Sequence, residues 1–205
     1  MANLSIQPAP QPPQAKGLSL GHLLNIPNIL TLARLFSIPI FLALLSQHRY
    51  TDGLYLFCLA ALTDALDGTV ARWFDAKTEL GAFLDPFADK LMLVSAFVVL
   101  TIDGSLPGWL LGVALIRDTV IVFGYFMLSF LTGERVPVRP SYLGKATTCL
   151  QIACVIGALA RIDASWPVGW EILLYVTVGV TALSGLHYAY RGLAWLSSRE
   201  PEMFE

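Results

Sequence analysis

Four aspartates, Asp64, Asp67, Asp85 and Asp89, lie close together in a chain that is otherwise strongly apolar. Carboxylates beside hydrocarbon are costly unless other charges compensate them. Four carboxylates formally neutralise two divalent cations, and ligands that are all oxygen suit Mg²⁺ or Mn²⁺ better than Zn²⁺. No Cys or His occurs between the first and the last of the four. The residues therefore predict a site for two hard divalent cations.

The spacing of these residues indicates two helices that each present one polar face. The relevant positions are Asp64, Asp67 and Ala71 at i, i+3 and i+7, and Gly81, Asp85 and Asp89 at i, i+4 and i+8. A polar segment, residues 73–79, separates the two sets. If it joins antiparallel helices, the two carboxylate pairs meet near one end of the membrane.

Small residues and one arginine accompany the aspartates. Gly68 and Gly81 have no side chain and permit close approach of a ligand to the helix backbone, and Ala71 leaves further space. Arg72 offers a planar fork of donors that matches a phosphate. Close helix packing is the alternative explanation for the glycines, because small residues are common at helix contacts in membranes.

The complete pattern, D-x-x-D-G-x-x-A-R-x8-G-x-x-x-D-x-x-x-D, resembles the signature of the CDP-alcohol phosphatidyltransferase family at all eight fixed positions. Residues 25–34, N-I-P-N-I-L-T-L-A-R, are similar to the start of the first membrane helix in the branch that makes phosphatidylglycerophosphate and cardiolipin. This resemblance implies that the four aspartates hold the metals and that Asp89 also acts as the catalytic base. It assigns Gly68, Ala71, Arg72 and Gly81 to the cytidine diphosphate, and it implies a homodimer.

The reaction implied is transfer of phosphatidyl from CDP-diacylglycerol to glycerol 3-phosphate with release of CMP. The expected acceptor residues are Arg117, Arg139 and Lys145. Arg117 is notable because an arginine inside a membrane helix costs about 2.5–3.5 kcal/mol and tends to face a cavity; neutralisation by Asp118 is the alternative. Cardiolipin synthase, with phosphatidylglycerol as acceptor, is the main competitor, and another CDP-alcohol phosphatidyltransferase is a further alternative. Two departures favour it: Asp118 where glycerol-phosphate enzymes commonly have Glu, and Arg-Pro-Ser at residues 139–141.

Composition independently indicates an integral membrane protein, with 56% hydrophobic residues, 14% charged residues and a mean hydropathy of +0.64. We expect an all-α fold of six transmembrane helices with a polar active site near the cytoplasmic side. The predicted spans are residues 29–45, 54–73, 83–102, 109–131, 143–160 and 168–196. They form a domain of residues 29–197, preceded by a disordered proline-rich tail (1–17) and a possible interfacial helix (18–28), and followed by a tail (198–205).

Basic residues predict the orientation. Arg49 and Arg161 lie at one side, whereas most other basic residues lie at the other: Lys16, Arg72, Lys77, Arg135, Arg139, Lys145, Arg191 and Arg199. The more basic side is expected to be cytoplasmic. Both termini and the aspartates then face the cytoplasm, as in a protein of a bacterial inner membrane. A divalent-cation transporter is a remote alternative, because intramembrane acids also mark ion pathways.

Overall fold

The computed structural model describes residues 26–74, 79–133 and 141–197, with side chains described for 32–63, 87–133 and 141–197. Every regular element in these ranges is helical. The helices are α1 (Ile26–Ser46), α2 (Tyr50–Phe74), α3 (Glu79–Ile102), α4 (Gly108–Thr132), α5 (Tyr142–Leu159), the single turn α6 (Ile162–Ser165) and α7 (Pro167–Ser197). The predicted N-terminal tail and C-terminal tail lie outside the described residues, and so does most of the predicted interfacial segment.

Local sequence explains where the best-defined helices begin and end. Pro107 precedes α4 in an extended conformation, and Gly133 ends the same helix with φ 67° while its N–H donates to Ser129 O. Ser141 caps α5, because its hydroxyl accepts a hydrogen bond from Gly144 N at 3.0 Å. These residues set the bounds of α4 and the start of α5.

The described helices pack around one apolar core. The most extensive packing joins α4 to α7, α1 to α3, α5 to α7, and α1 to α2. Phe41 of α1, Leu100 of α3, Leu110 of α4 and Leu159 of α5 are fully buried in this core. Four separate helices therefore contribute to one bundle interior.

Three helices have the length and apolar character of membrane spans within the described residues: α4, α5 and α7. In α1 the described apolar stretch is Leu32–Ser46, shorter than the 18 residues that a span requires. Phe123, Phe126 and Phe130 lie on the outer surface of α4 with 63%, 66% and 87% of their area exposed. Such an apolar exterior suits lipid rather than water. The protein is an all-helical membrane protein.

Candidate active site

The signature residues lie on two consecutive helices. Helix α2 includes the positions of Asp64, Asp67, Gly68, Ala71 and Arg72, and α3 includes those of Gly81, Asp85 and Asp89. The predicted helical placement is therefore observed. The side chains of all but Asp89 lie outside the described residues, so the mutual geometry of the four carboxylates and of the nucleotide-binding positions remains a prediction.

Asp89 is held by an arginine from the first helix. Arg34 Nη1 lies 2.8 Å from Asp89 Oδ1, and the two side chains are 4% and 41% exposed. This pair joins α1 to α3 and places a positive charge against the carboxylate inside the bundle. The contact orients Asp89 while leaving part of the side chain accessible. Arg34 is thus a member of the site that the sequence interpretation did not include.

A second ionic cluster begins one residue later on α3. Lys90 Nζ contacts Asp118 Oδ2, and Arg117 Nη1 donates to Asp118 Oδ1 at 2.9 Å. Asp118 therefore neutralises Arg117, as the alternative explanation held, but it also serves a second cation from another helix. A cavity of about 10 Å³, close to the size of one water, adjoins this cluster and is lined by Gln151 among others.

Arg117 also faces the last helix. Its Nη2 donates to Ser184 Oγ at 3.4 Å, and its guanidinium lies 5.7 Å from the centre of the Tyr188 ring. Its side chain is 12% exposed. The arginine is therefore fixed from three sides, by a carboxylate, a hydroxyl and an aromatic face, which is consistent with the prediction that it faces the bundle interior.

The first turn of α5 completes this polar region. Ser141 N donates to Tyr188 Oη at 2.9 Å. A Cβ on Gly144 would lie 3.0 Å from Tyr188 Oη and 3.2 Å from Arg117 Nη2, so glycine permits the close approach of both. Lys145 follows directly, exposed, with Nζ 6.0 Å from the centre of the Tyr142 ring. The structure therefore brings Arg117 to the turn that carries Lys145; Arg139 lies outside the described residues.

A family profile described as CDP-alcohol phosphatidyltransferase matches residues 24–183, which is most of the chain. The chain belongs to the CDP-alcohol phosphatidyltransferase family. The resemblance drawn from the eight-residue signature is confirmed, and the match ends within α7, one residue before Ser184.

Individual relatives have names that refer to two different acceptors. The chain is 33% identical to the CDP-diacylglycerol--glycerol-3-phosphate 3-phosphatidyltransferase of Yersinia enterocolitica, over 87% of this chain and 99% of the relative. It is 35% identical to the cardiolipin synthase (CMP-forming) of Streptomyces coelicolor, over 78% and 81%. It is 29% identical to the probable cardiolipin synthase (CMP-forming) of Drosophila melanogaster, over 87% of this chain, and spans 58% of that relative's length. The relatives therefore do not distinguish between the two acceptors.

The donor set expected from the signature would suit hard divalent cations. Asp89 is the one signature aspartate with a described side chain, and the described residues contain no group of three metal-binding side chains. Its carboxylate is 41% exposed, although Arg34 contacts one oxygen. The other three ligands expected from the signature are also carboxylates, and a set of oxygens alone favours Mg²⁺ or Mn²⁺.

Four residues that contact Asp89 or the Arg117–Asp118 pair were not identified from the sequence: Arg34, Lys90, Ser184 and Tyr188. The signal for Arg34 was available, because it is a charged residue inside an apolar helix, and such residues usually face the bundle interior. Ser184 and Tyr188 carried no such signal. Their role depends on how α7 packs against α4 and α5.

Proposed function

We propose that the protein transfers phosphatidyl from CDP-diacylglycerol to glycerol 3-phosphate and releases CMP. The observation that carries this proposal is the complete family signature on α2 and α3, with its last aspartate, Asp89, held by Arg34. In this reaction the acceptor hydroxyl oxygen forms a bond to the phosphatidyl phosphorus. The bond from that phosphorus to CMP breaks, and the acceptor proton goes to a base.

Each signature residue has a role in this proposal. Two divalent cations, Mg²⁺ or Mn²⁺, held by Asp64, Asp67, Asp85 and Asp89, would neutralise the diphosphate and stabilise the attacking and leaving oxygens. Arg72 pairs with a donor phosphate, and Gly68, Ala71 and Gly81 leave room for the cytidine nucleotide. Asp89 takes the proton of the acceptor hydroxyl, and Arg34 orients its carboxylate for that transfer.

The polar region at the start of α5 supports a phosphorylated acceptor. Arg117 lies beside the first turn of α5, and Lys145 is exposed on the same turn. The N-terminus of a helix carries a partial positive charge, which adds to the charges of the two side chains. A phosphate monoester such as glycerol 3-phosphate carries up to two negative charges, whereas the phosphodiester of phosphatidylglycerol carries one. The charges therefore favour the monoester, and Arg139 is proposed as a further ligand.

Cardiolipin synthase remains the alternative function. It is supported by Asp118, by the Arg-Pro-Ser segment at residues 139–141, and by the 35% identity to the Streptomyces relative. In that case phosphatidylglycerol is the acceptor and its free glycerol hydroxyl is the nucleophile.

The membrane arrangement is also part of the proposal. Helices α1 to α5 and α7 form six spans in a bacterial inner membrane, with the aspartates and both termini in the cytoplasm. A homodimer is proposed as well, for which Gly112 on α4 leaves an open surface: no atom lies within 4 Å of its hypothetical Cβ. Mass measurement in detergent tests the dimer, and a monomer would refute it.

The test is CMP release by the purified full-length protein with CDP-diacylglycerol and Mg²⁺ or Mn²⁺. We expect release with glycerol 3-phosphate and none with phosphatidylglycerol alone. Lys145→Gln should raise KM for glycerol 3-phosphate, while Arg199→Gln, which removes an equal charge after the end of α7, should leave it unchanged. CMP release with phosphatidylglycerol but not with glycerol 3-phosphate would support cardiolipin synthase. No release with either acceptor would refute both proposed functions.

A further inference from the structure

A third cluster of charged residues lies at the end of the bundle where α3 ends, away from Asp89. Residues 47–49, 103–107 and 160–166 connect the long helices at that end. Asp103 directly follows the end of α3, fourteen positions after Asp89, which corresponds to roughly 20 Å at 1.5 Å per helical residue. This region, which we call the distal pocket, is therefore separate from the candidate active site.

Tyr50 is fixed in the distal pocket by hydrogen bonds. Its hydroxyl donates to Asp103 Oδ2 at 2.7 Å, and Ser105 Oγ donates to the same oxygen at 2.7 Å. His48 Nδ1 lies 2.9 Å from Tyr50 Oη and 3.3 Å from Asp103 Oδ1. The hydrogen bonds from Tyr50 and Ser105 hold the pKa of Asp103 below its ordinary value. Asp103 is thus an anion at neutral pH and orients the tyrosine ring.

Arg161 lies on that ring. Its guanidinium carbon is 5.1 Å from the centre of the Tyr50 ring, a cation–π distance. No ion pair within 4 Å involves Arg161 in the described part of the chain, although the more distant Asp103 carboxylate attracts it. Arg161 and His48 also have left-handed backbone conformations, with φ of 55° and 57°. Such conformations cost about 1 kcal/mol or more in a residue other than glycine and occur often at ligand sites.

The distal pocket has a volume of about 450 Å³ and a mixed lining. Arg161, His48 and Arg49 supply basic groups, Asp52 supplies one carboxylate, and Leu54 and Leu159 supply apolar surface. Arg49 is already paired, because its Nε donates to Asp52 Oδ2 at 2.6 Å. Arg161 is therefore the cation best placed for a ligand.

We propose that the distal pocket binds a phosphoryl anion, supplied either by the headgroup of an anionic phospholipid or by free phosphate. The planar fork of Arg161 matches phosphate oxygens, and its stacking on Tyr50 reduces the freedom lost on binding. Trp166, 66% exposed in the same connection, is a residue type enriched where headgroups begin. The proposal does not depend on the acceptor or on the reaction proposed above.

The test uses full-length protein in an uncharged maltoside detergent. The lipid probe is dioleoylphosphatidylserine, which is neither the proposed donor nor the proposed acceptor, with dioleoylphosphatidylcholine as the zwitterionic control. Lipid retained by the protein is counted by native mass spectrometry, and inorganic phosphate binding is measured by calorimetry. The variant is Arg161→Asn, because asparagine tolerates a left-handed backbone. Arg199→Asn is the charge-matched control, and size-exclusion elution confirms folding of both.

We expect Arg161→Asn to retain at least fivefold less phosphatidylserine than wild type and Arg199→Asn to retain the wild-type amount. Loss of phosphatidylserine with no phosphate binding identifies the lipid as the source of the anion. Phosphate binding that Arg161→Asn removes identifies free phosphate. The proposal is wrong if phosphatidylserine and phosphate each bind Arg161→Asn as well as they bind wild type. It is also wrong if wild type binds neither phosphatidylserine nor phosphate. If Arg161→Asn fails to fold, Tyr50→Leu replaces it, because it removes the ring on which Arg161 stacks.

Discussion

Asp118 is a carboxylate shared by two cations from different helices, and its replacement by asparagine tests the organisation of the site. Asp118→Asn keeps the shape of the side chain and an oxygen that can accept from Arg117 Nη1. It removes the negative charge that faces both Arg117 and Lys90. Two cations on different helices then lose their common counter-charge.

The structure gives the size of the expected effect. Arg117 and Asp118 are 12% and 18% exposed, and breaking a buried pair by removing one partner costs about 3–5 kcal/mol. The retained hydrogen bond places Asp118→Asn near or below the lower end of that range. Lys90 is 42% exposed, so its pair with Asp118 is screened and contributes at most about 1 kcal/mol. We expect Asp118→Asn to reduce the free energy of unfolding by about 2–3 kcal/mol, and Lys90→Met by about 1 kcal/mol or less.

Two assays on purified protein test this prediction, one of stability and one of acceptor binding. Equilibrium unfolding by SDS in mixed micelles gives the change in stability. Steady-state CMP release gives KM for glycerol 3-phosphate, which we expect to rise about tenfold in Asp118→Asn, equivalent to about 1.4 kcal/mol of acceptor binding. The rise follows because Arg117 loses a group that fixes its guanidinium.

Asp118→Glu is the matched control, since it keeps the charge and should retain most of the stability. The double variant Lys90→Met with Asp118→Asn should be destabilised by less than the sum of the single changes, because the two residues share one contact. Wild-type stability and wild-type KM in Asp118→Asn would refute the reasoning.

Three further predictions concern other parts of the bundle. Asp64→Asn should abolish CMP release while leaving the protein folded; retained release would exclude the two-metal hypothesis. Arg34→Met should lower kcat at least tenfold because Asp89 loses its orienting contact, and unchanged kcat would show that the contact is only structural. Gly157→Ala should destabilise the protein by about 1–3 kcal/mol in SDS titration, since a Cβ would lie 2.4 Å from a tryptophan ring; Gly179→Ala, in open space, should not.

Helix positions were predicted well where the sequence contains clear breaks. The span predicted at 109–131 is observed as Gly108–Thr132, because Pro107 and Gly133 flank it. The span predicted at 143–160 is observed as Tyr142–Leu159, with Ser141 as its cap. The one-turn helix α6 was missed, because four residues are too few for a periodic pattern to be recognised.

Site residues were predictable only when they carried a local motif or an unusual charge. The signature made the aspartates visible, and Arg117 was visible as a charge within an apolar span. The contact of Tyr188 with Ser141 joins residues 47 positions apart on different helices. Such a contact depends on the angle and register of helix packing, which hydropathy does not encode.

The polar contacts of this bundle also explain how its helices find one register. In a membrane, apolar side chains gain little free energy when they exchange contacts with lipid tails for contacts with another helix. Packing and polar contacts must therefore select the arrangement. Each contact here joins a different pair of helices: Arg34 with Asp89 joins α1 to α3, Lys90 with Asp118 joins α3 to α4, and Arg117 with Ser184 joins α4 to α7. Sliding any of these helices by one turn, about 5.4 Å, would leave a charged group without its partner. The same contacts hold Asp89 and Arg117, so the interactions that specify the fold also align the proposed base with the proposed acceptor site.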